Sequence, residues 1–214
     1  LKVGTHMYQN FIWDFDGTLF NTYPKMLRAY VKTMQFYHIA ITPSAVYRIL
    51  KTKSSKDLAQ QFDLDFSAFD KVYKQFEKED KSEVFAYDDA KYILEKVMKN
   101  GGRNFLLTHR ANSSAKELLE KSSLDGLFIE IVGPENEFPR KPNPTSLLYL
   151  VDKYKLDKKK TVMIGDRPMD IDAGINAGVQ SIFYNDERLF KIARATHEVN
   201  RLSEIEKFLG LTQK

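Results

Sequence analysis

The 214-residue chain contains no cysteine. Disulfides and thiolate-bound metals are thereby excluded, and the absence fits a reducing cytoplasm, where the protein is expected to act. No apolar run approaches the roughly 20 residues that a membrane-crossing helix needs, so no membrane partner is expected. No secretory pattern opens the chain. Residues 1–6, Leu-Lys-Val-Gly-Thr-His, read as a remnant ahead of a native start at Met7. Glycine (10) and proline (7) are sparse. They form neither a low-complexity linker nor a GxGxxG dinucleotide loop. Charge of one sign is lacking too. The 33 Lys+Arg against 29 Asp+Glu leave a formal +4, which favours anionic ligands and argues for no nucleic acid. What remains is 43% hydrophobic and 13% aromatic residues, enough for a substantial core. The length suits one large domain, or one domain carrying a smaller insert.

The apolar run Phe11-Ile12-Trp13 predicts a short buried strand, ending in Asp14-Phe15-Asp16-Gly17-Thr18-Leu19. From 21 to 83 the apolar residues fall at helical spacing: Leu27, Tyr30, Val31 and Met34, then Val46, Ile49 and Leu50, then Phe69, Val72, Tyr73 and Phe76. This segment predicts an all-helical insert, broken by a polar loop over 51–55. From about 84 helix and strand alternate. A helix over 88–100 turns Tyr92, Ile93, Leu94 and Val97 inward. Strands follow at 104–107, 128–132, 161–164 and 179–184, separated by helices at 112–122, 144–154 and after Asp166. The expectation is an α/β, Rossmann-like parallel sheet of about five strands with helices on both faces. Residues 1–20 and 84–214 form this core, and 21–83 a helical cap.

In such a sheet, ligands sit outside the carboxyl ends of the strands. Three strands end in chemistry: Asp14 and Asp16 from the first, Thr108 from the second, Asp166 from the fourth. Asp170 follows Asp166 by four residues, and Lys141 comes from the loop after the third strand. Carboxylates bind a hard cation through oxygen. A lysine and a hydroxyl neutralise and orient phosphate oxygens. Together they predict a site for Mg2+ and a phosphoryl group.

The four motifs, Asp14-Phe15-Asp16-Gly17-Thr18-Leu19, Thr108, Lys141-Pro142 and Gly165-Asp166-Arg167-Pro168-Met169-Asp170, resemble in order those of the haloacid dehalogenase-like hydrolases. The helical insert after the first strand is similar to the small cap of the phosphoglycolate phosphatase and β-phosphoglucomutase branch. The resemblance implies that Asp14 is the nucleophile forming an aspartyl-phosphate. It implies that Asp16 is the general acid and then the base, and that Thr108 and Lys141 hold the phosphoryl oxygens. Gly17, Thr18, His109 and Arg110 would line the substrate. Asp14, the Asp16 carbonyl, Asp166 and Asp170 would hold Mg2+. Lys53, in the polar loop of the insert, is the candidate for contact with the substrate beyond its phosphate. Asn21, where an acidic residue is common in the family, and the lack of a glycine near 51–53 are departures from the pattern.

The activity implied is Mg2+-dependent hydrolysis of a small phosphorylated metabolite, a phosphomonoester, by a monomer or weak dimer. The alternatives are a phosphomutase of the β-phosphoglucomutase type and a non-catalytic metabolite-binding module on the same fold. Dehalogenation is disfavoured by Asp16, since a halide leaving group needs no acid.

Overall fold

A computed structural model describes residues 7–210; the reading of 1–6 as a remnant lies outside the described residues. The chain divides into two compact units, one made of residues 1–20 and 86–214, the other of Asn21–Phe85.

The first unit is built on six parallel strands: β1 (Asn10–Trp13), β2 (Arg103–Leu107), β3 (Glu130–Val132), β4 (Thr161–Gly165), β5 (Gln180–Tyr184) and β6 (His197–Val199). The order across the sheet is β3-β2-β1-β4-β5-β6. All residues of β1 and β4 are buried, so the middle of the sheet is covered on both faces, as unbroken apolar strands require. Ile12, Phe105, Leu107, Val132, Leu147, Leu150 and Met163 pack into one core cluster. The chain runs outward from β1 through β2 to β3, then crosses back to β4 and continues to the other edge. The strand order therefore reverses beside β1, and the crevice at the carboxyl ends of β1 and β4 is the place where such sheets receive ligands.

The expected count of about five strands falls short by one. β6 is a three-residue edge strand, His-Glu-Val, with too few apolar residues to stand out in sequence. Tyr92 is a second correction. It lies on its helix, Ala90–Lys99, but is 45% exposed rather than inward. Its hydroxyl donates to Glu206 at 2.6 Å, so the ring's polar end keeps it at the surface.

The second unit holds four helices: α1 (Tyr23–Phe36), α2 (Pro43–Thr52), α3 (Ser55–Gln61) and α4 (Phe66–Glu79). Pro43 opens α2 behind Thr42, whose hydroxyl accepts from the Ala45 N–H, and Asp65 caps α4 in the same way. Tyr30, Met34, Val46, Leu50, Leu58, Phe69 and Tyr73 form its core. The rings of Tyr30 and Tyr73 stack with centroids 3.9 Å apart. The polar break is shorter than the 51–55 read from sequence. α2 continues to Thr52, and Ser54 with Asp57 makes a capping box that starts α3 at once. Among the described residues the α-helices of the first unit are α5 (Ala90–Lys99), α6 (Asn112–Lys121), α7 (Thr145–Lys153) and α8 (Pro168–Ala177). Among the described residues no helix is long and apolar enough to cross a membrane.

Candidate active site

The Asp14 N–H donates to the Ile164 carbonyl at 2.8 Å, which extends the pairing of β1 with β4 by one residue. The chain then turns sharply. Gly17 has φ +78°, a left-handed conformation that costs glycine nothing. The Gly17 N–H donates to the Phe20 carbonyl, and the rings of Phe15 and Phe20 stack beneath the turn. Asp14 is thereby held at the buried strand end, while Asp16, in the turn, retains partial exposure.

Lys141 meets Asp14 from the loop between β3 and α7. Its side chain is fully buried, and its Nζ lies 2.6 Å from Asp14 Oδ1. The same Nζ lies 2.7 Å from Asp170 Oδ1 and donates to the Leu107 carbonyl at 3.1 Å. The approach to Asp170 lacks hydrogen-bond alignment, so that contact is one of charge. Asp170 is steadied by its other oxygen, which accepts from the Arg167 N–H at 3.1 Å and closes the first turn of α8. A Cβ on Gly165 would stand 2.3 Å from Asp170 Cβ, so glycine at the end of β4 is what lets Asp170 lie so close. Asp166, also fully buried, accepts from Thr18 Oγ1 at 3.4 Å.

Asp14, Asp166 and Asp170 each offer an oxygen within 4.8 Å of the others. Three buried carboxylates share this space with one buried lysine. Burial pushes the Asp14 carboxyl up to about 7. Asp170 and, less strongly, Asp166 add to that shift, against the pull of Lys141 and Arg167. Burial pulls the Lys141 ammonium down, yet Asp14 and Asp170 outweigh it and its pKa is raised. Asp14 Oδ2 is buried and has no hydrogen-bond partner among the described residues. An all-oxygen donor set with excess negative charge and an unpartnered carboxylate oxygen fits a hard divalent cation such as Mg2+.

The second pole is Arg110. Its Nε and Nη2 lie 2.9 and 2.8 Å from Asp16 Oδ1, and its Nη1 donates to Ser114 Oγ at 3.0 Å. The Arg110 N–H donates to Thr108 Oγ1, which fixes the hydroxyl of the buried Thr108. His109 accepts the Lys141 N–H on Nε2 at 3.0 Å. Burial, followed by the charges of Lys141, Arg140 and Arg167, drives its pKa far down, so the ring is neutral.

The structure thus brings Asp14, Lys141, Asp166, Asp170 and Thr18 into one cluster, and Asp16, Arg110 and Thr108 into another joined to it through the β1 turn. Lys53 belongs to the helical unit, where it is exposed at the C-terminal end of α2. The sequence reading passed over two groups. Ser114, in the first turn of α6, lies four residues beyond Arg110, a spacing that could have signalled the pair. The Leu107 carbonyl has no signal in sequence. Lys51, read as part of the polar loop over 51–55, is instead buried, with its Nζ 4.6 Å from the centre of the Tyr23 ring.

Comparison with known proteins gives the family. The sequence profile of the haloacid dehalogenase-like hydrolases matches residues 11–184. A phosphoglycolate phosphatase from Aliivibrio fischeri is 30% identical over 182 residues, 79% of this chain and 80% of that protein. The pyrophosphatase PpaX of Bacillus mycoides is 25% identical over 182 residues, 80% of each chain. Among solved structures, a hydrolase from Streptococcus pneumoniae TIGR4 is 35% identical. It matches with a TM-score of 0.58 over 87% of this chain and 94% of its own.

Proposed function

We propose, on the premise that this chain belongs to the haloacid dehalogenase-like hydrolases and is a phosphatase of that family, that it hydrolyses a small phosphomonoester through an aspartyl-phosphate on Asp14 and requires Mg2+. The observation that carries this reading is the buried Asp14, paired with Lys141 on one oxygen and unpartnered on the other. The unpartnered Oδ2 is where a new bond can form or a cation can bind.

Asp14, Asp166 and Asp170, with the Asp16 carbonyl that the family resemblance implies, would hold Mg2+; bound there, the ion supplies positive charge against which a phosphoryl group and a carboxylate can approach. Lys141 and Thr108 bind and orient the non-bridging oxygens. An Asp14 oxygen then forms a bond to phosphorus as the bond to the leaving oxygen breaks, and Asp16 gives that oxygen a proton. In the second step Asp16 takes a proton from water. The water oxygen bonds to phosphorus, the Asp14–phosphorus bond breaks, and inorganic phosphate leaves. The Arg110 Nε and Nη2 contacts to Asp16 both fall on Oδ1, so Oδ2 is the oxygen we assign to proton transfer. Most of this chemistry is positioning and charge stabilisation.

A small phosphorylated metabolite as partner, the cytoplasm as location, and a monomer or weak dimer as working form belong to the same proposal. The test is release of inorganic phosphate from p-nitrophenyl phosphate with and without Mg2+, then from a panel that includes phosphoglycolate and pyrophosphate, which the relatives' names carry. Turnover that needs Mg2+ is expected. Isomerised sugar phosphate in place of free phosphate would contradict hydrolysis.

A further inference from the structure

We propose that the His109 imidazole is a positioning residue for Lys141, fixing the peptide from which the lysine reaches Asp14 and Asp170. The proposal rests on the phosphoryl-transfer reading above, in which Lys141 serves the reaction.

Lys141 lies in a loop, outside any helix or strand, so no ladder or helix supplies an acceptor for its backbone N–H. A buried backbone donor needs a partner, and here the partner is a side chain, His109 Nε2, at 3.0 Å. One residue on, the Pro142 carbonyl accepts from Asn176 Nδ2 at 3.0 Å. The loop is therefore tied on one side to the residue that follows Thr108 and on the other to α8. Between these ties the lysine side chain, with no exposure, reaches two acceptors, Asp14 Oδ1 and the Leu107 carbonyl, and the charge of Asp170. A flexible four-carbon stem gives an ammonium little direction of its own. Its aim depends on where its Cα is held.

The imidazole's other nitrogen argues that this tie is its purpose. An Nε2 that accepts carries no proton, so the neutral ring is protonated on Nδ1. Nδ1 is buried and has no hydrogen-bond partner among the described residues. A buried donor left without a partner costs stability. A residue kept for packing alone would be served as well by an apolar side chain of similar size. What the imidazole adds is an acceptor at the reach of Nε2.

That reach separates two substitutions. In His109→Gln the amide oxygen falls near the place of Nε2 and can accept from Lys141. In His109→Asn it falls near Nδ1 and cannot. The experiment measures steady-state hydrolysis of p-nitrophenyl phosphate with Mg2+, and the melting temperature, for the full chain carrying His109→Gln, His109→Asn, His109→Leu or Lys141→Ala. We expect His109→Asn and His109→Leu to lose kcat by about tenfold to a hundredfold, as small misplacements of a reacting group do. KM should change little, and His109→Gln should recover most of the turnover. If His109→Leu does not fold, the Gln and Asn pair decides. Equal kcat in that pair would overturn the proposal. So would a fall in melting temperature that tracks the fall in kcat across the variants, since His109 would then serve stability alone. Turnover that survives Lys141→Ala would overturn the reading beneath it. Loss in Lys141→Ala with full activity in His109→Asn would overturn this proposal alone.

Discussion

The two units bury different things. At its strand ends the α/β unit buries Asp14, Lys141, Asp166 and Asp170, whereas the helical unit buries a single charged side chain, Lys51, among the described residues. Around it lie mostly apolar and aromatic side chains, with Tyr30 against Phe69 and Tyr73. Two of its ion pairs, Arg28 with Asp80 and Lys74 with Asp70, lie on the outside. The difference teaches where stability and chemistry are kept apart. Burying paired charges seldom stabilises a fold relative to apolar residues of the same volume. On the proposed reading, a cluster of three carboxylates around one lysine is explained by the cation and phosphoryl group it would bind. The helical unit, with little buried charge, draws its stability from packing and its shape from caps.

The largest expected effect separates the units by function. Removing divalent cations with EDTA should take phosphatase turnover to background, and Mg2+ should restore it. Asp166→Asn should raise the Mg2+ concentration needed. Full activity in EDTA after dialysis would break the comparison, because the buried carboxylates would then lack the role that accounts for them.

Next comes packing in the helical unit. Phe69 is fully buried between Tyr30 and Tyr37, so Phe69→Ala should cost about 3–5 kcal/mol in urea unfolding. A loss below about 1 kcal/mol would show that the aromatic cluster is loosely packed and would weaken the contrast.

A smaller effect should appear in the pH dependence of the metal-free protein. Asp14 is pushed up to about 7 by burial and by Asp170, whereas in the unfolded chain an aspartate titrates near 4. Between these values the folded state holds the extra proton, so stability should fall as pH rises through that window, by a few kcal/mol at most. Asp14→Asn should flatten the profile. Thermal melts of both proteins in EDTA from about pH 4 to 8 would show it, and parallel profiles would contradict it.

The smallest effect belongs to the outer pair. Hydrogen bonds from Arg28 and Ser82 hold the Asp80 carboxyl well below the usual carboxylate range. The stability they add is present above the unfolded carboxylate value and is lost as pH falls through the folded one. Arg28 is half exposed, so solvent screening should keep Asp80→Asn below about 1 kcal/mol at neutral pH. A larger loss would place real stability in surface charge and blur the line between the units.

The legible part of this molecule is the part written in short range. Phe11-Ile12-Trp13 and Thr161-Val162-Met163-Ile164 announce buried strands, and Pro43 behind Thr42 announces a helix start. The motif residues could be placed at strand ends because those strands could be found. β6 was not legible, because three residues at a sheet edge carry no periodic signal. Tyr92 misled because an aromatic ring on a helix reads as core, and only the distant Glu206 explains its exposure. The end of α2 misled because Lys51, Thr52 and Lys53 look like solvent-facing polarity, while Lys51 packs on Tyr23. The pairings of the site lie beyond any local pattern. Lys141 is 127 residues from Asp14, and Arg110 is 94 from Asp16. The residues could be nominated from sequence, but which carboxylate the lysine meets and which the arginine meets is set by the order of strands.

The central claim is that Asp14 takes the phosphoryl group. Asp16→Asn with p-nitrophenyl phosphate tests it directly, because p-nitrophenolate leaves without help from an acid while the water step is left without its base. A single turnover with Mg2+, quenched in acid and followed by peptide mass spectrometry, should find the phosphoryl group on Asp14. Release of p-nitrophenolate with Asp14 unmodified would contradict the account.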